Sequence, residues 1–376
     1  MKKYFCRICG HSLLQDPLLR YENMPKSAQD LPDKIGLKRD KGVALDVYQC
    51  SGCGLVQLIN EPVSYYKNVI RAAAFSDDMR AFRIKQFAEI IDKYSLRNKK
   101  VIEIGCGRGE YLSLIKQSGV DAYGIENLNT SVEFCVKNGL KVSAGFIEQE
   151  DQAVVGGPFA AFIMLNYFEH LPNPNLILAG IKHNLAEDGI GLIEVPNFDM
   201  ILRNKLFSEF IPDHLSYFTE DTLETALKIN GFDILESKEI WHDYIISMIV
   251  RKRKKVELAD FCLHQSKLKN ALSDYISKFQ KVAIWGAGHQ AFALISLMEL
   301  SKQVRYVVDS APFKQGKYTP ASHLPIVDPE TLNLDPPDAI IIIAGGYSDE
   351  VARTIKQKHS LIKNVAVLRS HGLEII

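Results

Sequence analysis

Residues 101–112 read Val-Ile-Glu-Ile-Gly-Cys-Gly-Arg-Gly-Glu-Tyr-Leu, and this stretch restricts the fold more than any other. A short apolar run holding one acid, Glu103, suits a strand buried on both faces. Gly105, Gly107 and Gly109 then permit a turn on which a ligand can lie against bare backbone. Residues 111–117 open a helix whose first N–H groups face that ligand. The next strand, 121–126, ends in Glu126, 21 positions after Gly105. An acid at the end of the second strand suits a pair of ribose hydroxyls.

Around this turn, strands predicted at 101–104, 121–126, 141–144, 159–165, 190–195 and 244–250 alternate with helical patterns. That rhythm predicts an α/β fold, a doubly wound Rossmann-like sheet with ligands at the C-terminal ends of its strands. Ahead of it, residues 62–95 have a helical pattern in Phe82, Ile84, Phe87, Ile90 and Ile91, with Ser76 as N-cap. After residue 255 a connecting helix leads into a second α/β unit. The chain of 376 residues therefore divides into a small lobe over 1–60, a Rossmann-like domain over 61–255 and a smaller Rossmann-like domain over 256–376.

The first lobe carries two C-x-x-C-Gly knuckles, Cys6 with Cys9 and Cys50 with Cys53. Each turn aims backbone N–H groups at thiolate sulfur, and two such turns form a tetrahedral Cys₄ zinc site. With all four ligands from the protein, that zinc is structural. Free thiols or a redox pair are the alternative, and His11 reads as a bystander. The segment 21–30, with its Asn-Met-Pro turn, is either a surface loop or a cover over a cleft. Thiols kept for a metal fit a reducing cytoplasm, and residues 1–6 carry charge with no apolar core of a signal peptide behind it. Lysine plus arginine and aspartate plus glutamate both number 45, which argues against a partner held by bulk phosphate attraction. No apolar run reaches the roughly 20 residues that span a bilayer.

Two acid–histidine pairs are candidates for catalysis. Glu169-His170 follows the strand at 159–165, where Asn166 stands at the strand's end. Asp213-His214 lies among apolar and aromatic residues. A histidine near neutral pKa is suited to general-base work; the alternatives are a capping Glu with a solvated His and an Asp orienting a core His. The basic run at 251–255 reads as a solvated linker rather than an RNA site.

In the last hundred residues, Gly286 and Gly288 make a second glycine turn, His289 opens a helix, and Asp309 ends the second strand 23 positions after Gly286. Lys314 follows in a loop. A glycine turn with lysines suits a diphosphate. The third glycine of a dinucleotide fingerprint is absent, which weighs against a NAD-dependent sugar-modifying enzyme.

These pieces resemble, over nearly the full length, the three-domain nucleotide-sugar C-methyltransferases. The spacing G-x-G-x-G behind Glu103 looks like motif I of class I S-adenosylmethionine (SAM) methyltransferases. Cys-Gly-Leu-Val-Gln-Leu (53–58) and Val-Val-Asp-Ser-Ala-Pro-Phe-Lys-Gln-Gly (307–316) also match the family. The resemblance implies methylation of C3 of a 4-ketosugar carried on a nucleoside diphosphate, by way of an enolate. It implies that Gly105, Gly107, Gly109, Glu103, Asn166 and Glu126 hold SAM. It further implies His214 as base with Asp213 orienting it, and His170 at the substrate oxygen. The family's Tyr-His-Glu-His-x-x-Tyr-Phe stretch is Ile211-Pro212-Asp213-His214-Leu215-Ser216-Tyr217-Phe218 here, so its first tyrosine is Ile211. For a second family tyrosine, Tyr66 is nearest, with Arg71 or Ala72 at its place. These losses leave O-methylation of a nucleotide-sugar or related glycan precursor as an alternative. A non-catalytic zinc protein is another.

Overall fold

The computed structural model describes residues 3–68 and 76–376; Arg71 and Ala72 lie outside them. Two compact units are present, Met1–Lys255 and Val256–Ile376. No helix among the described residues is long and apolar enough to cross a membrane.

The first unit begins with a hairpin of β1 (Leu19–Met24) and β2 (Val43–Gln49), joined antiparallel by β3 (Val56–Leu58). Helix α1 (Asp77–Lys93) follows, capped by Ser76 as its hydroxyl accepts from Met79 N at 3.2 Å. Residues 62–68, the described part of the predicted span ahead of Ser76, do not belong to this helix and form a single 3₁₀ turn, Tyr66–Asn68. Ile84 is exposed and Arg83 is fully buried. The core-facing stripe is thus Arg83, Phe87 and Ile91, with the Arg83 guanidinium 2.6 Å from the buried Glu194.

The alternation then continues through β4 (Lys100–Ile104), α2 (Glu110–Gln117), β5 (Asp121–Glu126), α3 (Asn129–Lys137), β6 (Lys141–Ala144), β7 (Phe159–Leu165), α4 (Pro174–His183) and β8 (Leu185–Pro196). Next come α5 (Phe198–Arg203), the two-residue β9 (Ser216–Tyr217), α6 (Glu220–Ile229), β10 (Phe232–Ile240) and β11 (Ile245–Lys252). The main sheet has the order β10-β11-β8-β7-β4-β5-β6. Strands β4 to β6 run outward on one side and β7 to β8 on the other, so the order reverses between β4 and β7. That crevice, at the C-terminal strand ends, is where an open α/β sheet binds ligands.

Strand β10 was not read from the sequence. It pairs with β11 through a turn in which Trp241, His242 and Asp243 all take positive φ without a glycine to announce it. Strand β9 pairs not with the main sheet but with β3, completing the N-terminal sheet in the order β1-β2-β3-β9. One core cluster accordingly joins Cys6, Ile8, Leu13, Cys50 and Leu55 to Phe162, Phe168 and Phe218. Of the basic run, Lys252 meets Glu187, Arg253 meets Asp233 and Lys254 meets Asp188. It is a solvated ion-pair segment.

The second unit holds α7 (Ala259–Ile276), β12 (Val282–Trp285), α8 (His289–Leu297), β13 (Val304–Val308), β14 (Ile326–Val327), α9 (Thr331–Leu334), β15 (Ala339–Ile342), α10 (Ser348–Lys358), β16 (Asn364–Arg369) and β17 (Gly372–Ile375). Its sheet order is β14-β13-β12-β15-β16-β17, parallel except for the last hairpin. The molecule is therefore α/β throughout, with a cysteine-rich N-terminal lobe and two Rossmann-like sheets.

Candidate active site

A cavity of about 300 Å³ opens at the reversal between β4 and β7. Gly105, Gly107, Glu126 and Asn166 line it from the sheet, His170, Asp213 and His214 from two loops, and Ala28 and Gln29 from the N-terminal lobe.

The glycine turn has left-handed backbone at Gly105 (φ 68), Gly107 (φ 55) and Gly109 (φ 81). A Cβ on Gly105 would reach 3.3 Å from the Tyr167 ring, and one on Gly109 would collide with Leu140 at 2.4 Å. Glu126, buried at the end of β5, accepts from Gly107 N at 3.0 Å and from Leu128 N at 2.8 Å. Its carboxylate is thus held at the cavity wall beside bare backbone, which fits a ribose-bearing cofactor. Asn166 takes φ 47, its amide donating to Glu194 O at 2.8 Å. Glu103 is wholly buried in β4, and Gly109 caps α2 behind the turn; neither lines the cavity.

The two histidines line the same cavity as the turn's carboxylate. His170 closes the 3₁₀ turn Phe168–His170 after β7, and its Nδ1 lies 2.8 Å from Asp213 O. His214 sits edge-on to it, ring centroids 4.7 Å apart. The loop carrying His214 is pinned at several points. Tyr217 Oη accepts from Ile211 N at 3.0 Å, Leu215 N donates to Glu169 O at 2.9 Å, and Leu58 N donates to Leu215 O at 3.0 Å. Burial pushes the His170 pKa down, against the opposing pull of the Asp213 carbonyl and charge. Burial and the neighbouring His170 bring His214 down to about 3. Both rings are therefore neutral at pH 7, the form that accepts protons.

Two expectations change here. The Asp213 carboxylate does not orient His214: it accepts from Tyr65 Oη at 2.7 Å and from Ala28 N at 3.1 Å. Tyr66 does not line the cavity either, since its ring packs edge-on against Phe146 at 6.0 Å. Tyr65 stands behind the lining: its hydroxyl, which donates to Asp213, also accepts from Ala28 N and Gln29 N at 3.0 and 3.1 Å. Ala28 and Gln29, at the end of the segment 21–30, are thereby held in the cavity lining. Only the adjacency of two tyrosines hinted at Tyr65, and nothing in the local pattern separates one from the other.

The four cysteines of the lobe converge. Cys6 Sγ and Cys53 Sγ are 3.6 Å apart, Cys9 Sγ and Cys50 Sγ 3.3 Å, and all four sulfurs lie within 4.8 Å of one another. Thiolates about 2.3 Å from one tetrahedral ion stand roughly 3.8 Å apart. Ile8 N points at Cys6 Sγ, and Gly52 N and Cys53 N at Cys50 Sγ, as knuckle turns require. The residues fit a zinc ion.

In the second unit, a Cβ at Gly286 (φ 121) would lie 2.2 Å from Ile343 O. Asp309 accepts from Ala287 N at 2.8 Å, Ala311 N at 2.9 Å and Lys314 Nζ at 2.9 Å. Burial opposes its charge, but these donors outweigh burial and hold its pKa below the usual range. The unit thus repeats the first unit's acid-on-glycine-turn arrangement. Gly288 and His289 begin α8 beside it.

Residues 79–237 match the family described as Methyltransferase domain, and residues 259–365 the family described as C-methyltransferase C-terminal domain. The chain is 24% identical over 387 residues to C-methyltransferase NovU of Streptomyces niveus, covering 94% of this chain and 92% of that one. Over 100 residues it is 32% identical to a Ubiquinone biosynthesis O-methyltransferase of Methylococcus capsulatus, covering 25% of this chain and 42% of that one. A crystal structure of a SAM-dependent methyltransferase from Clostridium acetobutylicum covers 46% of this chain and 94% of its own at 11% identity, with a TM-score of 0.38. With a methyltransferase domain and a C-methyltransferase C-terminal domain in order behind the cysteine-rich lobe, and a C-methyltransferase similar along nearly its whole length, the chain is a SAM-dependent methyltransferase.

Proposed function

We propose that the enzyme methylates a carbon of a nucleotide-linked keto-deoxysugar through an enolate. The observation that carries this reading is that two neutral imidazoles share one cavity with the glycine turn and Glu126. The similarity to a C-methyltransferase along 94% of the chain supports carbon as the acceptor.

SAM, when bound, supplies an electrophilic methyl group. The chain's task is to align the acceptor and raise its nucleophilicity. In this reading Gly105, Gly107 and Gly109 line the methionine end, Glu126 holds the ribose hydroxyls, and Glu103 and Asn166 complete the cofactor shell. A ketone acidifies the neighbouring C–H, and the His170–His214 pair is where the proton leaves and where the developing oxyanion is met. Tyr65, bonded to Asp213 and Ala28, holds these two lining residues together. Gly286, Gly288, His289, Asp309 and Lys314 are proposed contacts for the nucleotide portion. Cys6, Cys9, Cys50 and Cys53 are proposed to hold one structural zinc.

A second reading, methylation of oxygen, draws on the 32% identity to an O-methyltransferase over 100 residues and on Ile211 in the place of a tyrosine. Isotope exchange separates the two. Without SAM, an enzyme working through an enolate should wash deuterium from D₂O into the carbon beside the ketone. His214→Ala should slow that exchange by about 10² or more. A methylated product formed with no such exchange would establish oxygen as the acceptor.

A further inference from the structure

Tyr167 lines the cavity but has no part in the chemistry described above. It follows Asn166, whose left-handed backbone (φ 47) turns the chain at the end of β7. Its ring lies against the glycine turn: a Cβ on Gly105 would stand 3.3 Å from both Cδ1 and Cε1. The residue is 9% exposed and belongs to the core cluster that holds Ile125, Ile147, Phe168 and Leu171. Packing therefore fixes the ring, and with it the place of its oxygen.

The hydroxyl itself is unpartnered. It forms no hydrogen bond with any described residue, and it is not sealed off. On a residue this buried, the space it opens onto is the cavity. Burial, and after it the charge of Glu126, push its pKa up. The phenol thus keeps its proton at neutral pH and offers an O–H in the field of the Glu126 carboxylate. That carboxylate accepts from Gly107 N and Leu128 N instead. A donor held in a nearly buried place without a partner costs stability, which is offset when a partner arrives from outside.

The neighbouring groups decide what that partner is. A carboxylate only accepts, so a ribose hydroxyl held by Glu126 gives its one proton there. The lone pairs of the same ribose oxygen then need a donor of their own. Gly107 N and Leu128 N cannot serve, because both already point at Glu126. Lys67, a cation in the lining, is paired with Glu148. We infer that Tyr167 is a cofactor-binding residue, its ring supporting the glycine turn and its hydroxyl donating to the ribose hydroxyl whose proton Glu126 accepts. The inference rests on the placement of the SAM ribose at Glu126 proposed above and adds the donor that completes it. A site that both accepts from one hydroxyl and donates to it rejects a cofactor lacking that group.

The test is calorimetric titration of the full-length enzyme and its Tyr167→Phe variant with S-adenosylhomocysteine and with its 2′-deoxy and 3′-deoxy analogues. Tyr167→Phe deletes one oxygen that has no protein partner, so the ligand-free variant should melt no lower than wild type. Its affinity for S-adenosylhomocysteine should fall by about tenfold. On the analogue that lacks the contacted hydroxyl, variant and wild type should bind alike, within about twofold. Unchanged affinity of Tyr167→Phe for S-adenosylhomocysteine would overturn the inference, and a fall in kcat alone would place the phenol at the acceptor instead. An equal loss on all three ligands, or a lower melting temperature without ligand, would make the hydroxyl structural and overturn it as well. Glu126→Ala separates this failure from that of the ribose placement. Unchanged affinity in that variant would remove the ribose from Glu126 and the inference with it, whereas a loss in Glu126→Ala with none in Tyr167→Phe would strike the inference alone.

Discussion

Tyr65 and Asp213 are 148 positions apart in the chain and 2.7 Å apart at their oxygens. The bond ties the segment that leaves the cysteine lobe to the loop that carries His214. Through Ala28 and Gln29 the same hydroxyl gathers a third segment. Three stretches of chain meet on one phenol, so the cavity wall is held by tertiary contacts and not by any single element.

Tyr65→Phe should therefore act on catalysis more than on cofactor binding. It removes the donor to Asp213 and the acceptor of two amides, at a cost of about 1 kcal/mol for a partly exposed group. A small displacement of the His214 loop should lower kcat by about tenfold. Affinity for S-adenosylhomocysteine should be unchanged by calorimetry, because Glu126 and the glycine turn lie apart from this network. Equal losses in both would place Tyr65 in general stability instead.

Glu126→Ala should weaken SAM by about tenfold or more. A ribose buried without its acceptor leaves unpaired polar groups, worth roughly 1–3 kcal/mol. The substitution also strips Gly107 N and Leu128 N of their partner. Calorimetric titration is the direct measurement, and unchanged affinity would move the ribose elsewhere.

Elemental analysis should find one zinc per chain, and the Cys6→Ser, Cys50→Ser double variant should lose it. Because Cys6 and Cys50 share a core with Phe168 and Phe218, and β3 pairs with β9, this loss should reach the active site. Methyl transfer should fall together with the melting temperature of the first unit. Zinc loss with full stability and activity would remove the structural role.

Glu236 gives a pH dependence. Partial burial raises its pKa, but Lys93, Tyr94 and Lys238 outweigh this and hold it at about 2, below its ordinary 4.5. A carboxylate with a depressed folded pKa stabilises the fold above its unfolded pKa, and that contribution is lost as pH falls through the folded value. Stability should thus decline from about pH 4.5 toward 2, and Glu236→Gln should flatten that limb in acid denaturation. The group clasps β10 to α1, so tryptophan emission near Trp241 should report it.

The parts set by local chemistry were legible in the chain. Gly105, Gly107 and Gly109 stand where left-handed backbone and close approach leave room for nothing larger, and Glu126 terminates its strand beside them. The cysteine knuckles have a spacing that geometry imposes, and β4, β7 and β8 have the apolar runs of a sheet covered on both faces. Thr219 at the start of α6 and Asn230-Gly231 after its end are local caps, and the structure has both.

Other features depended on partners far along the chain, and no local pattern encodes those. The helical stripe of α1 placed Ile84 inward, but Glu194 supplied the charge that lets Arg83 be buried instead. Asp213 looked like the partner of the histidine next to it, but the chain turns there, with His214 N on Ile211 O, and Tyr65 and Ala28 arrive from elsewhere to take the carboxylate. Tyr65 and Tyr66 are identical in composition and neighbours in sequence. Their opposite placement, one on Asp213 and one on Phe146, was decided by the turn at Tyr66–Asn68 and the walls it meets. The residue types and the glycine turn determined which cofactor chemistry the chain can hold. Which side chains stand together around the acceptor was decided only when the lobe, the loop and the sheet packed, since hydrogen bonds depend on proximity in space rather than in sequence.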